Sequence, residues 1–397
     1  MRSKKPDTRV TPGKPTRTLK ATAATAASTA TRNAGGLLAG LALLAAVPAG
    51  ADDLPLDRLR LAPGFEINVY AEDVPNARQL AQADNGTLFA GSREEGKVYA
   101  IRDTDGDHRA DQVTVLADGL DVPSGIALRD GDLYVAALNR ILVLRGVVAN
   151  PTAPVKPEVV YDGFPTESHH GWKYLRFDPD GKLIVPVGAP CNICDREAPF
   201  ATIQRLDPAS GDTETLARGV RNSVGFDFHP DSGELWFTDN GRDMLGDTVP
   251  PDELNRVIEP GQHFGYPYIH GGDIPDPEFG DGHDPADYTR PEQKIPAHFA
   301  ALGMTFYTGD AFPEGYRGNI FIAEHGSWNR QPPGGYRVTR VTLDDDGEVS
   351  DYQPFITGWL RDEQSWGRPA DVLQANDGSL LIADDSAGVI YRVTHRP

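Results

Sequence analysis

The sequence predicts an all-β protein, a six-bladed β-propeller with four-stranded antiparallel blades. Three observations carry this. A Gly turn leading into a short apolar strand recurs six times, a second alternating strand answers each one, and the turns are spaced as blades are. A small antiparallel sheet cannot bury both faces alone, so the six must stack and the ring must close.

In chain order the turns and their strands are Asn85-Gly86-Thr87-Leu88-Phe89, Gly131-Asp132-Leu133-Tyr134-Val135, Asp180-Gly181-Lys182-Leu183-Ile184-Val185, Ser232-Gly233-Glu234-Leu235-Trp236-Phe237, Arg317-Gly318-Asn319-Ile320-Phe321-Ile322 and Asp377-Gly378-Ser379-Leu380-Leu381-Ile382. Residues after each glycine are largely β-branched, aromatic or leucine, as a buried strand requires. The answering strands are Val98 to Ile101, Ile141 to Leu144, Ile203 to Leu206, Asn255 to Ile258, Arg337 to Val341 and Val389 to Val393. Successive glycines lie 45, 50, 52, 85 and 60 residues apart. The longest interval holds an insertion of about 242–300, rich in Gly, Pro, Asp and His, and such long connections are usually functional.

The chain has 397 residues, which blades sharing one continuous core make a single domain, 52–397. Ahead of it, residues 1 to 33 are basic and Ala/Thr-rich, Ala34 to Val47 are 14 apolar residues, and Ala49-Gly50-Ala51 are small. This is the order of a secretory signal with an extended basic region, over 1–51. The apolar run falls short of the ~20 residues a spanning helix needs. The expected location is therefore periplasmic or secreted, with no membrane span after cleavage. Residues 1–51 carry eight Lys/Arg against one acid, so their loss moves the formal charge from −20 to −27. A surface this acidic repels nucleic acid and anionic membranes.

Cys191 and Cys194 are the sole cysteines. Zinc would need two more ligands nearby, haem attachment a following His, and a thioredoxin-like motif a βαβ setting; none is present. A local disulfide bracing the loop is expected in an exported protein.

A third strand precedes each Gly turn, and in a propeller this innermost strand lines the axis. The openings include Asn76-Ala77-Arg78-Gln79, Ser168-His169-His170-Gly171, Val220-Arg221-Asn222-Ser223 and Trp366-Gly367-Arg368-Pro369. Arginines meeting around one axis repel each other when empty and suit a compact anion with several carboxylates or a phosphate. Singly, each arginine is as well explained by an ion pair with a loop acid; recurrence in different blades is what marks a site.

Three runs carry a resemblance: His169-His170-Gly171-Trp172-Lys173-Tyr174-Leu175-Arg176-Phe177, Gly219-Val220-Arg221-Asn222-Ser223-Val224-Gly225-Phe226, and Asp239-Asn240-Gly241-Arg242-Asp243 through Asp252-Glu253-Leu254-Asn255. In their order along the chain they resemble the soluble pyrroloquinoline-quinone-dependent sugar dehydrogenases. Glu324-His325-Gly326-Ser327-Trp328-Asn329-Arg330 resembles the sorbosone or pyranose dehydrogenase branch. The match spans roughly Leu61 to Val393.

The resemblance implies a flat tricarboxylate quinone at the channel mouth, its carboxylates on arginines, with Ca2+ beside it. It implies His170 as general base, taking the hydroxyl proton of a sugar while hydride passes to the quinone. Arg221 is placed near the quinone oxygens, with Asn222 and Arg368 as cofactor contacts. The carbonyls of Gly241 and Arg242 are implied as calcium ligands, with Asp243, Asp247 and Asp252 beside them. Two departures stand out. The family's second last-blade arginine is Ala370 here, and its fifth-blade lysine has only Thr308 nearby. Arg78, Arg330 and Arg337 are the arginines available to compensate.

The expected function is oxidation of a sugar (an aldose, sorbosone-like or pyranose), with electrons passed to an external quinone, dye or cytochrome. Trp328, Trp366 and Tyr268 offer aromatic faces for a sugar ring. The alternatives are a calcium-dependent propeller lactonase, which wants axial Glu and Asn rather than Arg, and a non-enzymatic binding propeller. Asp103-Thr104-Asp105-Gly106-Asp107, closed by Asp111, reads either as a second calcium loop or as a solvated hairpin turn.

Overall fold

The computed structural model describes residues 54–396; the basic and apolar segment of 1–51, expected to be a signal, lies outside them. Six antiparallel sheets follow one another. Blade 1 is built from Ala77–Gln82, Leu88–Ser92, Val98–Arg102 and Gln112–Ala117, and blade 2 from Gly125–Arg129, Asp132–Ala137, Arg140–Leu144 and Glu158–Tyr161. Blade 3 uses Arg176–Phe177, Leu183–Val187, Thr202–Leu206 and Thr213–Arg218; blade 4 uses Phe226–Phe228, Leu235–Asp239, Asp252–Val257 and Gln293–Ile295. Blade 5 comprises Ala301–Phe306, Ile320–Glu324, Arg337–Leu343 and Val349–Thr357. Blade 6 comprises Pro369–Gln374, Leu380–Asp384 and Val389–His395, and its outer strand is Phe65–Ala71, from the other end of the chain. That pairing closes the ring, so no blade keeps an open edge toward the seam.

Ring closure is visible in the packing. Strands two and three of the blades are buried on both faces, and alternate residues serve different neighbours. Leu380 and Ile382 pack against Phe321 and Val338 of blade 5, whereas Leu381 and Ala383 pack against Leu80 and Leu88 of blade 1. Similar clusters join blades 1 and 2, 2 and 3, 3 and 4, and 4 and 5, one hydrophobic layer per junction.

The inner strands crowd the axis. A Cβ on Gly225 would collide with the Leu302 carbonyl, so only glycine lets those strands approach. Buried polar side chains stitch the inner strands together. Gln79 Oε1 accepts from Ile126 N at 2.9 Å and Leu175 N at 2.8 Å, and Asp371 accepts from Leu80 N at 2.7 Å and the Tyr174 hydroxyl at 3.1 Å.

The 242–300 insertion is divided by the sheet. It contributes two strands of blade 4, and between them a hairpin (Ile269–His270 with Ile274–Pro275) and a short strand, Gln262–His263, parallel to the edge of blade 3. Among the described residues no helix is long and apolar enough to cross a membrane.

Candidate active site

Up-and-down blades sort their connections by end. Inner strands begin at one mouth of the channel, and the loops between second and third strands return to that mouth; the Gly turns lie at the other. A cavity of about 310 Å³ opens at the first mouth, lined by Arg78, His169, His170, Arg221, Asn222, Gly241, Asp243, Asp252 and Arg368 from the openings and loops singled out in the sequence. Such a volume suits a small molecule.

Local irregularity aims these groups inward. Blade 1 shifts register between Ala77 and Leu80, and blades 5 and 6 do so between Ala301 and Met304 and between Pro369 and Asp371. A bulge at a strand's start turns its side chains out of the ladder. Arg78 thereby faces the cavity, where Nη1 meets Asp385 Oδ2 at 2.7 Å. Arg368 donates to the His325 carbonyl at 3.1 Å and the Gly326 carbonyl at 2.8 Å.

His170 holds a left-handed backbone, φ 50°, at the opening of blade 3 and is 7 % exposed. Its Nδ1 lies 2.9 Å from the Ala189 carbonyl. A carbonyl only accepts, so Nδ1 carries the proton and a neutral ring leaves Nε2 with a free lone pair. Burial, then the charge of Arg221 and the adjacent His169, hold this imidazole well below its ordinary value. The neutral form of the ring is thereby favoured. Lys173 bonds the Gly171 carbonyl at 2.9 Å and the Leu138 carbonyl at 2.7 Å, pinning the segment behind it.

Arg221 and Asn222 are set by Asp239, whose carboxylate accepts their main-chain N–H groups at 2.8 and 2.6 Å. Burial, then the nearby Glu253, push Asp239 up to about 8. Among the described residues nothing donates to the buried Asn222 Oδ1. Asp252 accepts from Gly241 N at 2.9 Å and Ala300 N at 2.7 Å, and burial raises it to about 7. Among the described residues no protein group donates to the carbonyls of Gly241 or Arg242.

Four expected residues stand elsewhere, among them Asp247, whose carboxylate accepts from Gln331 N at 3.0 Å. The Arg242 side chain turns out of the cavity to Asp276, at 2.5 Å, leaving only its main chain for a ligand role. Arg330 is held by the Asp247 carbonyl at 2.9 Å and the Ala297 carbonyl at 3.2 Å. Arg337 pairs with the fully buried Glu324 at 2.6 Å and stacks over Phe299. Both are bound into the structure around blade 5 and do not line the cavity. Thr308 sits at the opposite end, bonded to Gln374.

The structure adds Arg93, Trp172, His298, His325 and Leu302 to the wall. Arg93 stacks on Trp172, 4.2 Å from the ring centroid. His325 lies 2.8 Å from Asp385 Oδ1, and burial outweighs that partner, lowering it to about 4. Of the aromatic candidates only Trp328 reaches the cavity, at its rim and 71 % exposed. Trp366 bonds the Gly358 carbonyl at 2.8 Å, and Tyr268 stacks on His283 at 3.8 Å in the insertion.

Cys191 and Cys194 form the expected disulfide. The oxygens of Asp103, Asp105 and Asp111 lie within 4.8 Å of one another, and loop N–H groups donate to some of them: Gly106 N to Asp103 at 2.7 Å and Thr104 N to Asp111 at 2.6 Å. This is the hairpin turn of blade 1, remote from the cavity.

Solved structures bear out the closed six-bladed ring as a fold. The holo-form quinone domain of the pyranose dehydrogenase of Coprinopsis cinerea superposes with a TM-score of 0.72 at 20% identity, covering 85% of this chain and 97% of that one. The quinone-bound aldose sugar dehydrogenase of Streptomyces coelicolor gives 0.60 at 20% identity over 84% and 99%. In sequence, the Coprinopsis pyranose dehydrogenase is 31% identical over 125 residues, 27% of this chain and 16% of that protein. The chain itself belongs to the DUF7133 family, described as a domain of unknown function, which matches residues 56–396. An uncharacterized protein of Borreliella burgdorferi is 33% identical over 371 residues, 90% of this chain and 96% of its own.

Proposed function

We propose that this protein oxidises a sugar, an aldose or pyranose, with pyrroloquinoline quinone held in the axial well and calcium beside it. One observation carries the reading: Arg78, Arg221 and Arg368, from three different blades, share one cavity with an uncharged, buried His170. The donor set fits a flat tricarboxylate, and the partnerless Asn222 Oδ1 provides an acceptor where such a molecule would lie. Bound there, the quinone supplies a two-electron acceptor for the hydride of a sugar carbon, and calcium a Lewis acid beside it.

The chain's own residues do the rest. The three arginines would hold the carboxylates, and Asn222 would accept a hydrogen bond from the cofactor. The main-chain oxygens of Gly241 and Arg242, with Asp243 and Asp252, are oxygen ligands of the kind calcium takes. A cation there favours the ionised form of Asp252, which burial alone disfavours. His170 Nε2 takes the proton of the sugar hydroxyl, its ring held in that tautomer by the Ala189 carbonyl. Trp328 offers an apolar face to the sugar at the rim. Leaving the cavity, electrons pass to an external quinone, dye or cytochrome. Export by the N-terminal signal places the reaction in the periplasm or the medium.

The test is dye reduction by aldoses with protein reconstituted with quinone and calcium. His170→Gln lowers kcat by about 10²–10⁴-fold, the range of a lost general base. Turnover unaffected by His170→Gln, or lactone hydrolysis without quinone, removes the proposal.

A further inference from the structure

We infer that Asn192, braced by the Cys191–Cys194 disulfide, is a positioning residue that aims Arg221 into the cavity; this deepens the function proposed above and rests on it. The guanidinium of Arg221 has five N–H groups in a fixed fork. Nε donates to the Asn192 carbonyl at 2.9 Å, and Nη2 donates to Asn192 Oδ1 at 2.8 Å and to Asp243 Oδ2 at 3.2 Å. Nη1 donates to the Asn240 carbonyl at 3.0 Å. One Nη1 hydrogen is left over, and Arg221 lines the cavity wall. Asn192 therefore grips one edge of the fork with main-chain and side-chain oxygens together, and the remaining Nη1 hydrogen is the one open to a ligand.

The same side chain fixes a second wall residue. Asn192 Nδ2 donates to the Asp243 carbonyl at 3.0 Å, and the Asp243 N–H donates to Asn192 Oδ1 at 2.8 Å. This two-point pairing joins the blade 3 loop to the blade 4 loop, and it needs an acceptor and a donor on one short side chain. Asparagine meets both requirements; glutamine is a methylene too long, and aspartate lacks the donor.

Asn192 stands on a connection between Val187 and Thr202 that contains no strand or helix. Chain freedom there would spread Arg221 over several rotamers. The disulfide closes the loop immediately around Asn192, with its Cα atoms 6.2 Å apart, and the Cys194 N–H is tied to the Tyr266 hydroxyl at 3.0 Å. The bridge thus acts on the site through Asn192 without touching the ligand itself.

Two readouts test this on the full protein. In absorption titrations of the apo-protein with pyrroloquinoline quinone and calcium, Asn192→Ala weakens binding about ten- to hundred-fold, as loss of a hydrogen bond to a buried charge does. Its thermal midpoint stays near the wild type's. Asn192→Asp, which keeps both acceptors for Arg221, recovers most of the affinity, and Cys191→Ser/Cys194→Ser weakens binding in the same direction as Asn192→Ala. Asn192→Ala keeps the main-chain acceptor of Arg221 Nε but loses the side-chain bonds to Nη2 and Asp243 that hold that carbonyl in place, so hydrogen exchange at Nε, followed by nitrogen-15 NMR without quinone, accelerates. Unchanged affinity together with unchanged Nε exchange overturns the inference. If the wild type takes up no quinone, the functional reading fails, and the Nε exchange alone then decides the positioning role: accelerated exchange upholds it and unaltered exchange overturns it.

Discussion

Replacing Asp385 with asparagine removes one charge from the wall of the well and keeps the shape. Asp385 bridges Arg78 at 2.7 Å and His325 at 2.8 Å, with the Arg78 side chain 4% and the Asp385 side chain 10% exposed. Burial alone would raise this carboxyl, but the hydrogen bond from His325 and the charge and hydrogen bond of Arg78 prevail and hold it well below its usual range. The variant leaves Arg78 as a buried cation without its counter-charge, which costs about 3–5 kcal/mol. Over residues 54–396 the unfolding entropy is about 0.7 kcal/mol per kelvin, so the melting midpoint should fall by about 4–7 °C. Calorimetry at pH 7, in low and high salt, measures this. Salt should recover little of the loss, because a buried pair is weakly screened. The pH dependence has a definite sign. A carboxyl with a depressed native pKa contributes its full stability above the unfolded value near 4 and loses it on further acidification, so wild type and variant converge below about pH 4. A midpoint within about 1 °C of wild type, or a loss abolished by salt, refutes the reasoning.

Other outcomes follow from the same geometry. Because burial and Arg221 keep His170 uncharged, the acid limb of kcat/KM should lie below pH 6.5; an inflection at 6.5 or higher in a pH–rate profile contradicts this. Asn222→Ala removes an acceptor with no protein partner, so calorimetry should register little change while quinone affinity drops about ten-fold. Arg337→Met should do the reverse. It strips the buried Glu324 of its partner at a cost of about 3–5 kcal/mol, and quinone titration should find affinity within about two-fold of wild type.

The fold was legible because period and punctuation agreed: each Gly turn and both strands around it appear in the sheets, some strand ends differing by a residue or more. Less legible was the closure, since Phe65–Ala71 completes blade 6 from the far end of the chain and no local pattern announces so distant a partner. At the site, the openings of the inner strands delivered Arg78, His170, Arg221 and Arg368. Arg93 was not singled out and His325 stood out only as part of a motif; both sit on loops between second and third strands, which the up-and-down order of a blade brings to the same mouth. That topological rule was the available signal, and it also places Thr308 at the wrong end. Arg330 and Arg337 read as spare cations in the sequence, but their partners, the Asp247 and Ala297 carbonyls and Glu324, are visible only in three dimensions.

The most direct measurement is an equilibrium titration of the apo-protein with pyrroloquinoline quinone in the presence of calcium, repeated with Arg78→Met, Arg221→Met and Arg368→Met. Saturable uptake of one quinone per chain, weakened by each substitution, is the predicted result. No saturable uptake, or uptake indifferent to all three arginines, would contradict the account.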